Sequence, residues 1–157
     1  MAVRDQVWQR NLNSMAHEFL NQGPLKLSTD KELLPTGSGV YMFSSEDDRV
    51  CYYVGKAANI QGRIFNGHLS RSKRKDKNGQ KMNYYYKAPL KNALLGWSNA
   101  GVLQGGPECL TEDEAHDLVL NKLNVRYMEI ENKRLRGLFE YYLTSVMNAK
   151  HAIDKDE

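Results

Sequence analysis

The chain has 157 residues, enough for one domain with its own core and too few to expect two. Its 41% hydrophobic and 26% charged residues are ordinary for a globular protein, and a net charge of +3 singles out no partner. No apolar run approaches the roughly 18 residues of a membrane helix, and the first residues, Met-Ala-Val-Arg-Asp-Gln, lack a signal peptide's apolar segment. A membrane protein is therefore not expected. With only Cys51 and Cys109 present, a disulfide framework is not expected either, and a reducing, cytoplasmic location fits. The four histidines are scattered without zinc-ligand spacing to either cysteine.

Residues 3–21 read as an amphipathic helix, with Trp8, Leu12, Met15 and Phe19 at helical period and Gly23-Pro24 ending it. Such a helix lies on the domain core or serves a dimer. Leu25 to Ser38 is a connector. Gly39 to Phe43 and Val50 to Val54 read as strands, and the polar run Ser44 to Arg49 between them makes an antiparallel hairpin. Gly55 should break the second strand. Asn59 has the chemistry of an N-cap, Ile60 and Ile64 share a helical face, and Gly67 is a C-cap that leaves His68 at the exit.

Charge concentrates next. From Ser70 to Lys81 six Lys/Arg face one Asp, a local +5 that leaves the rest of the chain at −2. Charges this dense predict a mobile surface loop over Ser70 to Gln80, either a solvated loop that binds nothing or an arm for phosphates. Tyr84, Tyr85 and Tyr86 are read as half-buried core in preference to base-stacking groups. Pro89 to Trp97 is a predicted helix and Gln104 to Pro107 a loop. Thr111 with Glu114 has capping-box form and opens a helix to Asn121. Leu123 to Ile130 is a third strand. Lys133 to Ala149 is the best helix, its apolar face formed by Leu135, Leu138, Phe139, Tyr142, Val146 and Met147, with Glu140 off that face. The expectation is one α/β domain over residues 1–157, with a helical extension at 1–36 and a basic loop and helical insertion at 69–122.

Four pieces in order give the chain a resemblance. Gly39-Val40-Tyr41, Tyr53-Val54-Gly55 and Asn59-Ile60-Gln61-Gly62-Arg63, with Glu140 on a helix after a strand, resemble the GIY-YIG endonuclease family. Tyr53-Val54-Gly55-Lys56-Ala57 is most similar to its restriction enzymes. The resemblance covers residues 37–68 and 123–148 and implies a small three-stranded, antiparallel-containing sheet flanked by helices. It also implies a Mg²⁺-dependent DNA endonuclease, with Mn²⁺ as the substitute ion.

Hydrolysis of a phosphodiester needs a nucleophilic water, neutralised phosphate charge and help for the leaving oxygen. The resemblance assigns the metal to Glu140, and Mg²⁺ accepts few protein ligands; the other reading is a glutamate paired with Arg136. Arg63 offers a planar fork for the scissile phosphate, or else a surface salt bridge. Tyr41 is implied as general base or water-positioning group and Tyr53 as an orienting group, although strand tyrosines are also routine core. A phenol titrates near about 10 and needs help to act as a base at neutral pH. Lys56 is placed to lower a tyrosine's pKa or touch phosphate. His68 stands five residues after Arg63 where some restriction enzymes of the family have a histidine four after, so its direction is open. Where many members of the family have a later asparagine this chain has Ala152, so that supporting contact is either missing or supplied by the earlier Asn148. Arg71, Lys73, Arg74, Lys75, Lys77 and Lys81 are the expected contacts to double-stranded DNA. A symmetric double-strand cut would need a homodimer or sequential nicking. Competing readings are a structure-selective repair, phage or mobile-element nuclease, and a catalytically silent nucleic-acid-binding module.

Overall fold

The computed structural model describes residues 3–69, 71–75, 81–86, 90, 94, 97–98, 101–102 and 111–149. Helix α1 (Val3–Leu20) leads through a 3₁₀ turn (Lys31–Leu33) to strands β1 (Gly39–Ser44) and β2 (Cys51–Ala57). Helix α2 starts at Ile60–Gly62 and continues as a π-helical turn, Arg63–His68. Strands β3 (Arg71–Lys75), β4 (Lys81–Tyr86), β5 (Trp97–Ser98) and β6 (Gly101–Val102) follow, then α3 (Glu112–Asn121), β7 (Asn124–Glu129) and α4 (Lys133–Val146).

The expected three-stranded sheet is present, entirely antiparallel, in the order β2-β1-β7. β1 is central and buried along its whole length because helices cover both faces. On one face Val40, Met42 and Val54 pack with Phe19 of α1 and with Phe139 and Leu143 of α4. On the other, Tyr41, Phe43, Tyr52 and Tyr53 pack with Ile60 and Ile64 of α2 and with Ala115 and Val119 of α3. Two caps form as the residue types demand: Asn59 accepts from the Gly62 amide at 2.8 Å, and Thr111 from the Glu114 amide at 3.1 Å. Leu25 bridges to Val125 and so covers the outer edge of β7.

Several expectations are corrected. Gly55 does not end β2, because it pairs with Tyr41 and the ladder runs on to Ala57. Gly67 is not a C-cap; it lies inside the π turn, which closes at Leu69 with a bond from its amide to the Ile64 carbonyl at 3.1 Å. The basic stretch is not a loop over its whole length. Arg71–Lys75 is a strand paired with Lys81–Tyr86, because a two-stranded ladder satisfies backbone groups while letting alternate residues diverge. Leu90 and Leu94 are helical, but Trp97–Ser98 pairs with Gly101–Val102 as strand. The expected apolar face of α4 is rotated: Phe139 and Leu143 are its buried centre, while Leu138 and Val146 are 41% and 53% exposed. Glu140, expected off the apolar face, is buried. The Trp8 side chain, Lys77, the loop 104–107, Cys109 and Ala152 lie outside the described residues.

Candidate active site

The site begins with an irregularity in β2. The β1–β2 register shifts between Phe43 and Ser44, so that Phe43 pairs with Tyr53 and Ser44 with Cys51, leaving Tyr52 as the extra residue of a β-bulge. Cys51 and Val54 then face α1 and α4, while both Tyr52 and Tyr53 face α2. Strict alternation would have separated these two tyrosines.

Across the ladder Tyr41 sits opposite Gly55. A Cβ at Gly55 would lie 2.6 Å from the Tyr41 Cζ and Oη and 2.7 Å from the Tyr53 Cε1, so glycine is required for both rings to lie over this position. The rings stack with centroids 6.0 Å apart. His68 is wedged against them, 4.7 Å from the Tyr53 centroid and 5.4 Å from that of Tyr41, with Phe43 behind it. The Tyr41 hydroxyl and His68 Nε2 are hydrogen-bonded at 2.7 Å, both residues fully buried.

The π turn makes this bond possible. In an α-helix five residues carry a side chain about 140° away from the first. In a π turn the i+5 residue sits one turn above residue i. Arg63 and His68 therefore share a side of the helix despite the longer spacing. The Arg63 side chain folds back over Gly67, where a Cβ would lie 3.3 Å from its Cδ and 3.5 Å from its Nε and Nη1. Arg63 is exposed, and among the described residues no carboxylate pairs with it.

The electrostatics follow from this geometry. Burial pushes the Tyr41 phenol well above its ordinary value, Tyr53 beside it adds to the rise, and the Arg63 charge opposes it. At Arg63 partial burial disfavours the charge, but the two phenols reverse that effect and raise its pKa. Tyr41 therefore keeps its proton at neutral pH and Arg63 keeps its charge.

Tyr41, Tyr53, Arg63 and His68 are thus brought together. Lys56 falls one residue past Gly55 on the alternate face, next to α4, where a Cβ on Gly137 would lie 3.6 Å from its Nζ. Glu140 is one turn further along α4, only 3% exposed, with its carbonyl accepting from Thr144 Oγ1 at 2.7 Å. Asn148 has a left-handed backbone (φ 50°) just after α4 and serves there as a helix stop. Among the described residues no cluster of three or more His, Cys, Asp or Glu could hold a metal ion. Arg71, Lys73, Arg74 and Lys75 lie on β3 and Lys81 on β4.

Sequence reasoning missed Tyr52, because a bulge leaves no compositional mark. It also missed His116 of α3, whose Nε2 donates to the Leu69 carbonyl at 2.9 Å and ties down the end of the π turn.

Among the described residues no helix is long and apolar enough to cross a membrane. No curated protein matches the chain. Residues 37–94 match the family model of the GIY-YIG catalytic domain, a span that takes in Tyr41, Tyr53, Lys56, Arg63 and His68 and stops short of β7 and Glu140.

Proposed function

We propose that the protein is a DNA endonuclease of the restriction type, hydrolysing phosphodiester bonds with Mg²⁺, or Mn²⁺ in its place. The observation that carries the reading is the exposed Arg63 guanidinium, held by the Tyr41 and Tyr53 phenols with no carboxylate partner among the described residues, beside a buried, hydrogen-bonded Tyr41–His68 pair. A guanidinium without a carboxylate partner is a receptor for an anion, and its planar fork suits two oxygens of one phosphate. The match of residues 37–94 to a nuclease catalytic domain supports the same substrate.

Tyr41 cannot wait as a phenolate, since burial holds its proton in place. It acts as a relay. The attacking water gives a proton to the Tyr41 oxygen as the Tyr41 proton passes to His68 Nε2, 2.7 Å away. The resulting hydroxide forms the new P–O bond. The bond to the leaving oxygen breaks, and a water proton completes that oxygen. Arg63 holds the phosphate and stabilises its growing charge, and Tyr53 fixes the ring of Tyr41. Glu140 is the residue that would hold Mg²⁺, which supplies charge neutralisation at the phosphate. A single buried carboxylate is compatible with that ion, which keeps most of its waters.

The test is digestion of long double-stranded DNA with Mg²⁺ by wild type and Glu140→Ala. Discrete fragments, lost in the variant, are expected. A smear or nicks alone would remove the restriction assignment. No cleavage by wild type, with DNA still bound, would replace the enzyme with a binding module.

A further inference from the structure

The π turn that aims His68 at Tyr41 ends on Leu69, and the backbone of Leu69 is held from two sides. Its amide donates to the Ile64 carbonyl at 3.1 Å, the bond five residues back that defines such a turn. Its carbonyl has no partner within the helix and accepts from Nε2 of His116 on α3 at 2.9 Å, across 47 positions of sequence. We propose that His116 is a positioning residue for the relay: by holding Leu69 it keeps the turn in its π register, and so keeps His68 on the Tyr41 hydroxyl. The inference rests on the nuclease reading for the reaction that the relay serves.

Register is the first argument. A π turn is a rare, single-turn departure from an α-helix, so its competitor is the α register of the same residues. In that register His68 would stand about 140° around the axis from Arg63. Its ring would leave the rings of Tyr41, Phe43 and Tyr53, among which it is fully buried. Leu69 would turn with it, because adjacent Cα atoms are only about 3.8 Å apart. The Leu69 carbonyl would then be carried off His116. A contact made in one register and lost in the other is what biases a two-state element.

Anchorage is the second. Thr111 caps the first turn of α3 at 3.1 Å, and Ala115 and Val119 are fully buried in one cluster with Tyr41, Tyr53 and Leu69. The helix therefore cannot follow Leu69 if the turn slips. His116 itself is only half-buried, so its ring reaches in from the rim of that core and does not fill its centre. Loss of its donor bears on the register more than on packing. α3 also lies beyond residues 37–94, so the tether reaches the relay from outside the span that matches the catalytic domain.

The experiment compares wild type with His116→Leu, which removes the donor, and His116→Gln, whose amide nitrogen restores one at similar reach. Two readouts are taken: steady-state cleavage of long double-stranded DNA with Mg²⁺, and the His68 imidazole nitrogen resonances in ¹H–¹⁵N correlation spectra without DNA. His116→Leu should lower kcat about 10- to 100-fold, the scale for a misplacement of about 1 Å at a reacting group, and leave KM for DNA within about twofold. Its His68 Nε2 resonance should move from the wild-type position. His116→Gln should recover most of kcat and return the resonance. Should His116→Leu fail to fold, His116→Asn, whose amide stops one methylene short, takes its place. An unmoved resonance, an unchanged kcat, a loss confined to KM, or no recovery in His116→Gln overturns the proposal. No cleavage by wild type would sink the nuclease reading, and the resonance alone would then decide whether His116 holds His68.

Discussion

Two arginines, Arg63 and Arg126, stand in opposite circumstances. Arg126, on β7, is 7% exposed and closes a bidentate pair with Asp48, Nη1 to Oδ1 and Nη2 to Oδ2, each at 2.9 Å. Asn124 donates to the same carboxylate at 2.8 Å and Ser44 at 2.9 Å, so the β1–β2 turn is pinned to β7. Asp48 holds the required left-handed backbone (φ 60°), which an aspartate tolerates. Arg63, at the other end of the hairpin, is exposed, and among the described residues it faces the Tyr41 and Tyr53 phenols with no carboxylate. A guanidinium whose donors are matched by a carboxylate stabilises the fold. One whose donors face a buried relay is available to a ligand.

The contrast can be broken by exchanging the damage. Arg63→Ala should lower cleavage by about 100- to 1000-fold, the scale for losing a group that stabilises transition-state charge. Its melting temperature should stay near wild type, because an exposed side chain is removed. Asp48→Ala should do the opposite. It leaves a buried guanidinium uncompensated and should cost about 3 kcal/mol in denaturant unfolding, at the low end because Asp48 is itself half exposed. Cleavage per folded molecule should be retained. If Arg63→Ala unfolds the protein, or Asp48→Ala abolishes cleavage in the folded fraction, the division between the two ends fails.

pH should sharpen it further. The Arg126 hydrogen bonds hold the Asp48 carboxyl well below its ordinary 3.8. The stability this pair contributes is present above about pH 4 and is lost as pH falls below that, so wild type and Asp48→Ala should converge in acid. At the alkaline end, burial pushes the Cys51 thiol from 9.0 up to about 12. The unfolded chain releases that proton first, so stability is intact below about pH 9 and declines up to pH 12. Cys51→Ala should show a shallower decline by about 1.4 kcal/mol per pH unit in that window. The smallest effect is expected at Gly67→Ala. A Cβ 3.3 Å from the Arg63 Cδ should displace the guanidinium slightly and reduce cleavage a few-fold, with KM for DNA affected more than stability.

Much of the fold was legible because local chemistry and tertiary demand agree. The Asn59 and Thr111 caps, the polar turn between β1 and β2, the helix α1 and the strand β7 are each stated by their residues, and each forms. Legibility failed where a contact distant in sequence decided the outcome. Dense charge at 71–75 argued for a loop, but pairing with 81–86 made a strand. Gly55 argued for a break, but its lack of a Cβ is used by the two tyrosine rings above it.

Residue types alone therefore determined the inventory: two strand tyrosines, an arginine and a histidine on the next helix, and a glutamate on the last. Their assembly belongs to the tertiary structure. The bulge at Tyr52 decides which tyrosines share a face, and the π turn decides that a histidine five residues from Arg63 meets Tyr41. The sheet's alternation sends Lys56 toward α4 and away from the phenols. Each is a shift of one residue in phase. Periodicity in the sequence is blind to such shifts, because only packing against the neighbouring element shows where the extra residue is absorbed.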